Sequence, residues 1–143
     1  MDATRSRLTG PPARSRFAIP RSASEARHLV EDLVRAEFPA GSEAEPAAET
    51  MADVLLVTSE LATNAIRHGG GIVGLWARVD ADGLRLGVRD RSDTVPHDRP
   101  RAAGDAVPLG GYGWPLVRRL VSELTVTRCP GGGKEIRITL PLS

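Results

Sequence analysis

The sequence predicts an α+β fold: a two-layer sandwich with helices on one face of a mixed, mostly antiparallel sheet. Three observations carry that expectation. Residues 47 to 68 hold apolar side chains at helical spacing and stop in Gly69, Gly70 and Gly71. Ser22 followed by Glu25 has the spacing of a capping box and opens a second apolar stripe. Two pairs of short alternating runs, 72–80 with 83–90 and 124–129 with 135–142, are each joined by a turn containing glycine.

The elements follow in order. "RFAIP" (16–20) alternates and ends in Pro20, which suits an edge strand. Behind Ser22, the residues Ala26, Leu29, Val30, Leu33, Val34 and Phe38 form the apolar stripe of a first helix. "PAGSEAEP" breaks it. The second helix runs from about Ala47 to His68, and the three glycines end it where a left-handed residue is needed. "IVGLWARVD" and "GLRLGVRD" make a tight hairpin through Asp80 to Gly83. "GWPLVRRLVSEL" (113–124) is a third helix with Pro115 in its first turn, where proline is tolerated. A final hairpin turns at "PGGGK".

The bulk numbers mostly exclude. A chain of 143 residues buries a single core without staples. A formal net charge of +1 gives no electrostatic reason to expect nucleic acid or an acidic membrane as partner. The lone Cys129 rules out an internal disulfide and any multi-cysteine zinc site, and is expected to serve packing. His28, His68 and His97 lack metal-ligand spacing. No G-x-x-x-x-G-K-[ST] is present, so this is not a P-loop protein. With no long apolar run and no signal-peptide core, the expected location is cytoplasmic. Residues 1–13 are expected to be a flexible leader and 14–143 the domain.

The chemistry concentrates in three places. Glu60, Asn64 and His68 recur every fourth residue, so they stack one turn above the other at the edge of the apolar arc of Val54, Leu55, Leu61, Ala62, Ala65 and Ile66. Polar groups there are partly dehydrated and need partners. Asn64 offers a hard oxygen suited to Mg²⁺ bridging phosphates, or an amide that caps a loop. Glu60 could accept a proton from a hydroxyl, or pair with Arg67 as a surface glutamate. His68 could touch phosphate, or simply favour the helix C-terminus. Asp90 ends a strand, where a base-binding carboxylate and an Asx turn are both at home. Gly110, Gly111 and Gly113 precede a helix N-terminus, an arrangement that favours anions and is also an ordinary loop.

These segments resemble a known family. "ELATNAIRH" (60–68) is similar to the N-box of the GHKL ATP-binding superfamily of gyrase, histidine kinases and MutL. "VRDRS" (88–92) stands where its first glycine box lies, and "GGYGWPLV" (110–117) resembles its second. The resemblance covers roughly residues 14 to 142, and its nearest form is the single-domain anti-sigma-factor serine kinase type. "GGKEIRITLPL" resembles the ending of small actinobacterial relatives.

The resemblance implies a Bergerat-type ATP-binding fold with ATP and Mg²⁺ as ligands. It assigns Asn64 to the metal, Glu60 to the general base, and Asp90 to the exocyclic amine of adenine. Gly110, Gly111, Tyr112, Gly113 and Trp114 would form the phosphate cradle, with His68 a further candidate contact. The loop from Arg91 to Tyr112 would be the lid, and Arg99 and Arg101 its phosphate partners. Two departures fall on the base end. Ser92 replaces the glycine of the first box, and Lys134 and Glu135 stand where a threonine often follows the last glycines. The implied function is phosphorylation of a serine on a small antagonist (anti-anti-sigma) protein, with a sigma factor as second partner and a homodimer as the assembly. No phosphorelay histidine domain is visible, so an autonomous sensor kinase is not expected. The alternatives are a kinase-inactive interaction module with weakened or lost nucleotide binding, and an ATPase without protein acceptor.

Overall fold

The computed structural model describes residues 15–93 and 113–143. The expected leader and most of the expected lid, with Arg99, Arg101, Gly110, Gly111 and Tyr112, lie outside the described residues. In chain order the elements are β1 (Ser15–Ala18), α1 (Ala23–Glu37), α2 (Ala48–His68), β2 (Ile72–Asp80), β3 (Gly83–Asp90), α3 (Gly113–Leu120), β4 (Glu123–Arg128) and β5 (Lys134–Leu140). The strands form one sheet in the order β1-β2-β3-β5-β4. Every described pairing is antiparallel, so the expected mixed character is absent among these strands.

Local signals account for most boundaries. Ser22 Oγ accepts from the Glu25 N–H at 3.1 Å, and Glu25 Oε1 accepts from the Arg21 N–H at 2.8 Å, one residue before the cap. Both hairpin strands at Asp80–Gly83 begin and end where the alternation places them. The third helix stops at Leu120, short of the predicted 124. There the Ser122 N–H donates to Thr139 O at 2.8 Å and Glu123 enters the sheet opposite Thr139. Sheet pairing outweighs the helical periodicity at that point. The glycines after α2 divide their roles: Gly70 and Gly71 take positive φ, 76° and 110°, whereas Gly69 does not.

The core lies between the helices and one sheet face. Val30, Leu33, Val54, Leu61 and Ala65 from the helices meet Leu75, Leu84, Leu86, Val88, Ile136 and Ile138 from the strands. Burying each large aliphatic side chain stabilises the fold by roughly 1.5–3 kcal/mol. Ile66, expected on the buried arc of α2, is 39% exposed. The other sheet face carries Trp76, whose indole lies over Gly87, so that a Cβ there would collide with it. Phe17, opposite Trp76 across β1 and β2, is 68% exposed.

Candidate functional site

The C-terminal half of α2 and the ends of β3 and β5 bring the predicted residues into two neighbouring groups. The first is the polar row on α2. Glu60 and Asn64 are half-buried and His68 is exposed in the last turn, so the row leaves the core edge as it ascends. The Asn64 Oδ1 is buried and has no hydrogen-bond partner among the described residues. Native structures leave few such atoms. No ion pair joins Glu60 to Arg67 among the described residues, and burial raises its carboxyl above the ordinary value of 4.5. Trp114, in the first turn of α3, is buried with its Nε1–H also unpartnered among those residues. Gly113 opens α3, as the box pattern requires.

The second group surrounds Asp90, the last residue of β3. Ile72 lies opposite Asp90 beyond a β-bulge between Ile72 and Gly74, and the alternation of β3 puts Asp90 on the same face as the core residues Leu84, Leu86 and Val88. Asp90 Oδ1 accepts from the Ser92 N–H at 2.9 Å, an Asx turn. Asp90 Oδ2 accepts from Lys134 Nζ at 2.8 Å, and both side chains are 1% exposed. Lys134 opens β5 directly across from Asp90 in the register. Gly69 backs the carboxylate, because a Cβ at that position would overlap it. The Arg91 N–H donates to Gly69 O at 2.8 Å, and the Gly133 N–H donates to Asp93 Oδ1 at 2.9 Å. Helix end, strand end and β4–β5 turn are thereby joined around one ion pair.

Glu135 does not join either group. As the residue after Lys134 it points to the opposite sheet face, where it accepts from Trp76 Nε1 at 2.6 Å and from Arg137 Nε at 2.7 Å. Strand alternation makes this unavoidable once Lys134 faces inward. Lys134, which the sequence marks only as a departure from the family pattern, is the residue that joins Asp90 instead. Its signals were its being the one lysine in the chain and its parity with Asp90 across the hairpins.

The donor set fits a metal–anion complex at the first group. Mg²⁺ takes oxygen ligands and usually shares them with substrate phosphates. Asn64 Oδ1 supplies one such ligand. No cluster of three or more His, Cys, Asp or Glu able to hold a metal occurs among the described residues, so a cation here would draw its remaining ligands from water or a bound anion. The second group fits a purine less directly, since both oxygens of Asp90 already accept hydrogen bonds.

Comparison with known proteins gives the class. The histidine kinase-like ATPase domain family matches residues 18–140. The chain therefore belongs to that family, within the GHKL superfamily. It is 30% identical over 99 residues to a sensor protein NarQ homolog of Haemophilus influenzae, covering 65% of this chain and 16% of that protein. The histidine kinase domain of the Erythrobacter litoralis EL346 blue-light activated histidine kinase shares the fold at a TM-score of 0.51 and 22% identity, over 95% of this chain and 72% of that one. The fuller chain of that kinase aligns at a TM-score of 0.49 and 28% identity, over 69% of this chain and 32% of its own. This chain thus spans a small part of the curated relative it matches. No described helix is long and apolar enough to cross a membrane.

Proposed function

We propose that this domain binds Mg²⁺–ATP and transfers the terminal phosphoryl group to a serine of a small antagonist protein, thereby controlling a sigma factor. The observation that carries the reading is the buried, unpartnered Oδ1 of Asn64 one helical turn from Glu60. Bound Mg²⁺ supplies neutralisation of phosphate charge, which is most of what phosphoryl transfer needs from a protein. Asn64 would orient the metal through its carbonyl oxygen. Glu60, without an ion-pair partner among the described residues and lifted by burial, would accept the serine hydroxyl proton. The glycine-led start of α3 would offer backbone N–H groups to the phosphates. Asp90 would accept a hydrogen bond from the 6-amino group of adenine. The serine acceptor, the sigma factor and a homodimer follow from the likeness to single-domain anti-sigma-factor kinases.

A second reading is a kinase-inactive interaction module, and the Asp90–Lys134 pair favours it by occupying the base-end carboxylate. A phosphorylation assay with the cognate antagonist separates the two. Incorporated phosphate that falls by about 10²–10⁴ in Glu60→Gln, with nucleotide affinity retained, supports the kinase. No incorporation by wild-type protein that still binds the antagonist supports the module.

A further inference from the structure

Lys134 is buried more completely than a lysine normally is, and it is underused. Its ammonium has three N–H donors. Among the described residues only Asp90 Oδ2 receives one, at 2.8 Å. Among those residues, two donors of a cation that is 1% exposed have no acceptor, a costly state for a charged group. The Ser92 N–H already anchors the other oxygen of that carboxylate.

We propose that Lys134 is a base-recognition residue whose ammonium donates directly to ring nitrogen N1 of adenine while Asp90 accepts from the adjacent 6-amino group. The inference rests on the proposed function, which puts the amino group on Asp90. The 6-amino donor and the N1 acceptor are neighbours on one edge of the ring. Asp90 and Lys134 present the complementary acceptor and donor side by side, 2.8 Å apart. A hydrogen bond from an ammonium is charge-assisted and stronger than one between neutral groups. Guanine in the same pose sets its 6-oxygen against the carboxylate and its N1–H against the ammonium, so the pair also selects against it. Lys134 thus gives the base end a recognition role at the position where related chains often carry threonine.

Calorimetric titration with ATP and with 1-deaza-ATP, in which N1 is replaced by C–H, tests this on the wild-type chain and on Lys134→Met. The wild type is expected to bind 1-deaza-ATP roughly tenfold to a hundredfold more weakly than ATP. Lys134→Met is expected to bind the two alike. The wild-type comparison needs no variant, so it can overturn the inference even if removing Lys134 prevents folding. Equal affinity of the wild type for both nucleotides overturns the role of Lys134 and leaves nucleotide binding standing. Discrimination that persists in Lys134→Met overturns it as well. Failure of both nucleotides to bind the wild type overturns this inference together with the proposed function.

Discussion

The two ends of the candidate site are unfinished in opposite senses. Around Asn64 and Glu60 the protein has acceptors to spare: a buried carbonyl oxygen with no donor and a half-buried carboxylate with no cation among the described residues. Around Asp90 each carboxylate oxygen already accepts one hydrogen bond, and the surplus among the described residues is two donors on Lys134. One end lacks a cation and the other lacks an acceptor. Buried polar groups are costly when unpaired, and the proposed ligand would meet both demands, with a cation at one end bridged to a group that accepts hydrogen bonds at the other. A nucleotide with its metal has that polarity.

The comparison can be broken most sharply at the base end. Asp90→Ala leaves the Lys134 ammonium buried without its counter-charge, a change expected to cost about 3–5 kcal/mol. Urea unfolding would show it as a lowered midpoint. The double variant Asp90→Ala/Lys134→Met should recover most of that loss, because no unpaired charge remains. If Asp90→Ala costs no more than a surface substitution, Asp90 and Lys134 do not form the buried ion pair described here.

Gly69→Ala is the next largest. Its new Cβ would overlap the Asp90 carboxylate, and pushing that group aside should cost about 1–3 kcal/mol in thermal or urea unfolding. An unchanged stability would mean that Asp90 and Lys134 move freely as a unit.

The smallest effect belongs to the phosphate end. Burial holds the Glu60 carboxyl above its ordinary 4.5, so the folded chain keeps this proton more tightly than the unfolded chain. Ionised Glu60 therefore costs stability once pH has risen through the raised value, and costs nothing below 4.5. Glu60→Gln is expected to be slightly more stable than wild type at neutral pH, with the gain fading in acid. A variant less stable at neutral pH would show that Glu60 is held by an attractive partner after all.

Much of the architecture was legible because the deciding forces are local. The Ser22 cap, the Asp80–Gly83 turn and the alternation of β2 and β3 are all set by neighbours in sequence, and the structure keeps them. The end of α3 was not legible, since the capture of Ser122 by Thr139 is a long-range contact. The same division runs through the site. The spacing of Glu60, Asn64 and His68 is a property of one helix and could be read directly. The roles of Lys134 and Glu135 depend on which sheet face each occupies, and that is fixed by a register between β3 and β5 that spans 44 residues of chain at Asp90–Lys134. A shift of one residue would exchange the two. The sequence placed Glu135 at the base end; the register puts it against Trp76 and Arg137 instead.

The most direct test of the central claim is calorimetric titration with ATP and Mg²⁺ on the wild type and on Asn64→Ala. If the unpartnered Oδ1 exists to hold a metal–nucleotide complex, the wild type binds, and the variant binds more weakly and loses its dependence on Mg²⁺. Binding that is identical in the two proteins, or absent from the wild type at millimolar ATP, would contradict it.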